Sequence, residues 1–188
     1  MLSYAPMSEL IIGGARSGKS LLAETRAGES GLRVIYVATA RVHDSEMECR
    51  IAHHKARRPA GWGLFEAPID LPDALRRNAA ANVCLLVDCL TLWLSNLFFE
   101  GQAARQAETD RRIDCPFLAE KMRTLIEMLP LLPGRVILVS NEVGCGIVPA
   151  SPISRLFADE QGRLNQRVAA VCEKVTFVAA GLPLELKS

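Results

Sequence analysis

Several things are scarce in this chain of 188 residues, and each scarcity excludes something. Charge of one sign is missing: 22 basic residues face 21 acidic ones for a net charge of +1, without the positive excess that non-specific nucleic-acid binding needs. Aromatic residues make up only 5%, too few for base-stacking platforms along a single strand. The six cysteines (Cys49, Cys84, Cys89, Cys115, Cys145 and Cys172) contain no C-x-x-C pair and no ligand-like spacing with histidine, so reduced thiols in a cytosolic protein are expected. No apolar run reaches the roughly 18 residues of a membrane helix. The opening "MLSYAPMSELIIGG" has no basic segment ahead of its apolar stretch, so it is not read as a signal peptide. A cytoplasmic protein without stable membrane insertion and without a nucleic-acid partner is the expectation. No internal repeat or low-complexity tract is visible.

What is present is a series of short, continuous, β-branched runs: "ELIIGG", "RVIYVAT", "VCLLVDCL", "RVILVSN" and "KVTFVAAG". Continuous rather than alternating apolar character belongs to strands buried on both faces, hence to a mostly parallel sheet with helices on both faces, an α/β fold. Residues 1–8 read as an N-terminal extension and residues 9–188 as a single domain. The tail "LPLELKS" suggests a short edge strand, weakened by Pro183. "KSLLAETRAG" is expected as a helix stopping near Gly28. "CPFLAEKMRTLIEMLP" is expected as another, with Leu118, Met122, Leu125, Ile126 and Leu129 at helical spacing, Asp114 as its N-cap and Pro133-Gly134 closing it. The polar segment Glu100 to Asp114 reads as a solvated helix or an insertion.

Gly13, Gly14, Ala15, Arg16, Ser17, Gly18, Lys19 and Ser20 satisfy G-x-x-x-x-G-K-S between an apolar strand and a helix. The chemistry requires glycine where the backbone turns and nears phosphate, so that N–H groups and a helix N-terminus point at the anion. Lys19 then reaches the terminal phosphates as a catalytic charge, and the Ser20 hydroxyl meets Mg²⁺. A P-loop enzyme also wants a carboxylate for the metal at the end of a neighbouring strand, and Asp88 in "VCLLVDCLTLWLSN" fits. A helix N-cap is the alternative reading of Asp88.

"MECRIAHHKARRPAGW" poses a separate question, because it sets two of the three histidines beside a lysine and two arginines. A capping box at Ser45 and Glu48 and a stop at Pro59 predict a helix over 46–58. Glu46, Arg50, His53 and Arg57 share one face, whereas Met47, Ile51 and His54 share another. Between guanidinium groups an imidazole is disfavoured in its charged form, so His53 would stay neutral and nucleophilic while the arginines hold phosphates. A solvated basic face explains the same residues.

"GGARSGKS", "HHKARRPAGW", "VDCLTLWLSNL", "SNEVGCGIVP" and "GRLNQRVA", in this order over residues 9–181, resemble the bifunctional adenosylcobinamide kinase/adenosylcobinamide-phosphate guanylyltransferase family of cobalamin biosynthesis. The resemblance implies a RecA-like P-loop NTPase core and a homotrimer. It implies that adenosylcobinamide is phosphorylated by an NTP, ATP or GTP, and that GMP then passes from GTP through a histidine to adenosylcobinamide phosphate. Carried over position by position, it makes His53 the catalytic nucleophile and Gly13 to Ser20 the triphosphate site. Ala38, Thr39, Ala40, Lys55, Ala56, Arg57, Arg58 and Glu66 become nucleotide contacts, with Glu66 recognising guanine, and Asp88 joins Ser20 near nucleotide and metal.

Beyond the resemblance, Asn141 and Glu142 either place substrate or metal or simply shape a turn. Leu164, Val168 and Val171 should face inward on a helix whose Arg163, Asn165 and Arg167 meet substrate, a neighbouring subunit or solvent. Trp93, Leu94, Leu97, Phe98 and Phe99 suit either a subunit interface or the core. Two other readings stay open: a single-function P-loop kinase of a small metabolite, and a RecA-like nucleotide-binding module.

Overall fold

A computed structural model describes residues 7–41, 59–101 and 115–188. The five apolar runs are strands β1 (Met7–Gly13), β2 (Arg33–Ala38), β4 (Val83–Asp88), β5 (Arg135–Asn141) and β6 (Lys174–Ala179). Two edge strands complete the sheet: β3 (Gly63–Glu66), which the pattern of apolar runs did not announce, and β7 (Leu182–Lys187). β3 was invisible because it is four residues long, opens on glycine and is mostly exposed, so it carries neither a run nor an alternation. The order is β3-β2-β4-β5-β1-β6-β7, parallel except for the antiparallel β6–β7 pair. Pro183 is accommodated at the outer edge, opposite Val178, where a missing donor costs little. β1 begins at Met7, two residues before the expected domain start: Met7 and Ser8 pair with Arg135 and Val136.

Alternate side chains of each inner strand feed two cores. On one face Ile11, Val34, Tyr36, Leu86, Ile137 and Val139 pack against Ala23 and Ala27 of α1 (Lys19–Gly28). On the other, Leu10, Val37, Leu85, Val87 and Leu138 meet α2 (Leu71–Asn78), α3 (Leu90–Glu100), α4 (Pro116–Met128) and α5 (Pro152–Val171). This is the expected mostly parallel α/β sheet with helices on both faces.

Helix α3 shows why the apolar residues fall where they do. Leu90, Trp93, Leu94, Leu97 and Phe98 lie at i, i+3, i+4, i+7 and i+8 and are buried, so one stripe faces the sheet. The indole Nε1 of Trp93 donates to Ile69 O at 2.8 Å, and Phe98 meets Phe157 of α5 edge-on at 5.5 Å. Core packing therefore accounts for this group, and Phe99, 69% exposed, is its outward member. Truncating Leu94 to alanine would cost about 2–5 kcal/mol by lost transfer energy and cavity.

Other expectations shift. Helix α4 is preceded by Cys115 at its cap position and starts on Pro116, whereas Asp114 lies outside the described residues. It passes into a 3₁₀ turn at Leu129–Leu131 before Pro133. On α5, Leu164 and Val168 are buried as expected and Val171 is half-buried against the core. Asn165 was expected at the surface with Arg163 and Arg167 but is buried, because it shares the inward spacing of Gln161, Leu164 and Val168. The 46–58 helix, the two neighbouring histidines and most of the Glu100 to Asp114 segment also lie outside the described residues. Among the described residues no helix is long and apolar enough to cross a membrane.

Candidate active site at the carboxyl ends of the strands

Because β1 to β5 are parallel, Gly13, Ala38, Glu66, Asp88 and Asn141 all arrive at one edge of the sheet. That edge is where open α/β sheets bind ligands.

The phosphate loop joins β1 to α1. A Cβ on Gly13 would lie 2.4 Å from Val178 O and 2.7 Å from Ser17 Oγ, so no larger residue fits. The loop closes through Ser17 N–H to Gly14 O at 3.3 Å, and α1 starts through Leu22 N–H to Gly18 O at 3.0 Å. Arg16 is held at φ 58 and Gly18 at φ 97, which turns the loop outward ahead of the helix N-terminus. The β6–β7 turn supports the loop from below: Gly181 N–H donates to Ser17 O at 2.8 Å, and a Cβ on Gly18 would lie 3.2 Å from Gly181 Cα. Ala15 and Arg16 are exposed, and Ser20 is half-buried in the first turn of α1.

Lys19 is 8% exposed, and its Nζ donates to Gly14 O at 3.1 Å. Burial lowers its pKa from the usual lysine value, and the nearby Cys89 and Asp88 oppose that shift. Asp88 therefore lies close enough to Lys19 to be felt, although β5 stands between β4 and β1. Asp88 does not cap α3; the cap position is Cys89. Its Oδ2 accepts a bond from the Tyr36 hydroxyl at 2.9 Å. Cys89 is buried, its thiol pushed up to about 12 chiefly by desolvation, which leaves it unreactive.

The segment after β2 is pinned from several sides. Thr39 is fully buried: its Oγ1 donates to Cys89 O at 2.7 Å and accepts from Cys89 N–H at 2.8 Å, and its N–H reaches Asp88 O at 3.3 Å. Its hydroxyl is thus committed to the Cys89 backbone, which holds the Ala38 to Ala40 segment in place. Glu66 is exposed at the end of β3 and lines a cavity of about 490 Å³ together with Arg41, Asp73, Arg77 and Glu100. Across the sheet, Glu142 settles as a turn residue: its Oε1 accepts from Gly144 N–H at 2.6 Å and its own N–H meets Gly13 O at 3.1 Å. Asn165 receives the Ser140 hydroxyl at 2.7 Å and donates to Asn141 O at 3.0 Å, while Gln161 donates to Ser140 Oγ at 2.9 Å.

The structure thus brings together the Gly13 to Ser20 loop, Asp88, Ala38 to Ala40 and Glu66 on one edge. His53, Lys55, Ala56, Arg57 and Arg58 lie outside the described residues. Reading the sequence missed Tyr36, Asn96, Ser140 and Gln161; the detectable signal was a polar residue inside an apolar helix or strand run, as in "LTLWLSNLFF".

The profile of the cobinamide kinase / cobinamide phosphate guanyltransferase family matches residues 9–186. The chain belongs to this family. It is similar to the bifunctional adenosylcobalamin biosynthesis protein CobP of Pseudomonas aeruginosa, 52% identical over 181 residues that cover 96% of this chain and 98% of the relative. CobU of Salmonella typhimurium, also called a bifunctional adenosylcobalamin biosynthesis protein, is 37% identical over 187 residues, covering 96% and 100%. Among solved structures, an ATPase of the type III secretion system of pathogenic bacteria superposes with a TM-score of 0.56 at 10% identity, over 96% of this chain and 57% of that one. A Pyrococcus horikoshii protein superposes with the same score and identity over 98% and 87%. These two likenesses concern the fold alone, which is that of a P-loop NTPase.

Proposed function

We propose that this enzyme phosphorylates adenosylcobinamide with ATP or GTP and then guanylylates the product through His53. The observation that carries the reading is the family match across residues 9–186. In the second reaction a neutral ring nitrogen of His53 attacks the α-phosphorus of GTP. A P–N bond forms, the P–O bond to pyrophosphate breaks, and pyrophosphate leaves. A phosphate oxygen of adenosylcobinamide phosphate then attacks the same phosphorus, breaks the P–N bond and returns the imidazole, giving adenosylcobinamide-GDP.

The phosphate loop and Lys19 hold the triphosphate, Arg57 and Arg58 with Lys55 and Ala56 flank the incoming nucleotide beside His53, and Ala38 to Ala40 and Glu66 receive the nucleoside. Mg²⁺ fits the donors present: Ser20 supplies a hydroxyl and Asp88 a carboxylate, both hard oxygens, and nucleotide phosphates and water complete such a shell. Bound there, the ion neutralises charge on the phosphate oxygens. The enzyme works in the cytoplasm as a homotrimer, one domain per chain; the exposed Ile147, Val148, Leu182, Leu184 and Leu186 supply apolar surface of the kind subunits cover.

Incubation with Mg²⁺ and GTP labelled at the α-phosphate tests the relay. An acid-labile, alkali-stable label is expected on the wild type and absent from His53→Ala, which keeps kinase activity. Full guanylyl transfer by His53→Ala would overturn the assignment of the relay to His53, whereas no label where GTP demonstrably binds would leave a plain small-metabolite kinase.

A further inference from the structure

Asn96 is a polar residue on the otherwise apolar helix α3 and is 6% exposed. Its Nδ2 donates to Thr39 O at 2.8 Å and to Pro68 O at 2.9 Å. Both partners are carbonyl oxygens, so the amide orientation follows from chemistry: only the NH₂ group can serve two acceptors. Thr39 directly follows the last residue of β2, and Pro68 lies two residues beyond the last residue of β3.

Each of these chain ends is also held separately, Thr39 by Cys89 and Asp88 and the residue after Pro68 by Trp93 Nε1 to Ile69 O, but Asn96 is the side chain that bonds both. The β2–β3 ladder is four pairs long, Ile35–Gly63 to Ala38–Glu66, and is continued by Ala67 N–H to Ala38 O at 2.8 Å. Beyond it the chains diverge around the 490 Å³ cavity, with Arg41 on the β2 side and Glu66 to Asp70 on the β3 side. Pro68 lines that cavity two residues after Glu66, so a side chain that ties its carbonyl to Thr39 O bears on where this wall stands relative to β2. Asparagine suits the task because one uncharged group carries two donors; aspartate would offer a carboxylate to two acceptors, and leucine would fill the space but leave both carbonyls unpaired.

We infer that Asn96 is the positioning residue for base selection: by tying Thr39 O to Pro68 O it holds Glu66 where its carboxylate distinguishes guanine from adenine. The inference rests on the reading of Glu66 as the guanine-recognising residue. The phosphate loop belongs to β1 and α1 and does not depend on this tie, so triphosphate affinity and base preference separate.

The test is calorimetric binding of GTP, ATP and inorganic tripolyphosphate, each with Mg²⁺, to wild type, Asn96→Ala, Asn96→Leu and Glu66→Gln. Leucine keeps the core filled should the alanine variant fail to fold. In the folded Asn96 variants, which leave both carbonyls unpaired, the GTP-over-ATP preference falls about tenfold or more, while tripolyphosphate binds as in the wild type. Glu66→Gln shows the same pattern. Equal weakening of all three ligands overturns the inference by making Asn96 a general support. Preference lost in Glu66→Gln but kept in the Asn96 variants overturns it and leaves the role of Glu66 standing. Preference unchanged in every variant, or absent from the wild type, overturns both.

Discussion

Strand β1 and the loop after it deliver two buried charges, Glu9 and Lys19, and the molecule treats them in opposite ways. Glu9 is fully buried, and both carboxylate oxygens are taken: Oε1 by the Arg26 guanidinium and the Thr176 hydroxyl, Oε2 by Arg135 at 3.1 Å. Arg26 reaches on to Glu185 of β7 at 2.6 Å, so the network ties β1, α1, β5, β6 and β7 together. Lys19 is nearly as buried, yet among the described residues its hydrogen-bond acceptor is one backbone carbonyl, Gly14 O. A carboxylate surrounded by donors is part of the framework; an ammonium held by one backbone carbonyl, with the Asp88 carboxylate near enough to be felt, fits the proposed role of holding nucleotide phosphates.

The comparison breaks most directly at Lys19. Lys19→Ala should lower both the kinase and guanylyl-transfer rates by about 10²-fold or more, as removal of a preorganised charge at a transferring phosphoryl group does. Its melting temperature should not fall, because the buried ammonium costs desolvation that alanine does not. A large destabilisation would place Lys19 with Glu9 as framework.

Glu9→Gln gives the complementary result. It leaves two guanidinium groups facing a neutral amide and should cost about 3 kcal/mol, or a drop of roughly 6–12 °C in melting temperature for a chain of this size. Nucleotide affinity per folded molecule should be unchanged; denaturant unfolding and equilibrium binding on the same preparation separate the two quantities.

A smaller effect joins the two regions. Gly181 sits at φ 79 in the turn whose N–H supports Ser17 O. Gly181→Ala should cost about 1 kcal/mol of left-handed strain and raise the dissociation constant for tripolyphosphate a few-fold by loosening the loop. Loss of stability with no change in phosphate binding would show that the turn is only a connection.

The smallest effect is electrostatic. The hydrogen bond from Arg26 holds the Glu185 carboxyl below the usual carboxylate range. Such a group adds stability that is present above its unfolded value near pH 4.3 and is lost as pH falls through its lower folded value. Wild type should therefore melt slightly above Glu185→Gln at pH 7, and the two should converge as the pH falls through the lowered folded value. Because Glu185 is largely solvated the difference is small.

The phosphate loop was legible because its chemistry admits few residues: Gly13 is hemmed in by Val178 O, and Lys19 and Ser20 must follow at fixed spacing. Five strands were legible because burial on both faces demands unbroken apolar runs. Asp88 was found from its place at a strand end, but its Tyr36 partner lies 52 residues away and looked like one more apolar strand residue. The large apolar group of α3 could be read as interface or core, and only the sheet beneath it shows that Trp93, Leu94, Leu97 and Phe98 are core while Phe99 is not.

What the sequence determined by itself was therefore whatever is written in local stereochemistry and periodicity: the anion-binding loop, the parallel α/β class, and the blocks that place the chain in its family. Tertiary structure decided strand order, the pairing of Glu9 with Arg26 and Arg135, and the inward turn of Asn96, Gln161 and Asn165. The physical reason is that a polar side chain does not carry its partner with it. Whether it faces solvent, a backbone carbonyl or a ligand depends on which distant segment the fold sets against it, and burial makes that partner obligatory.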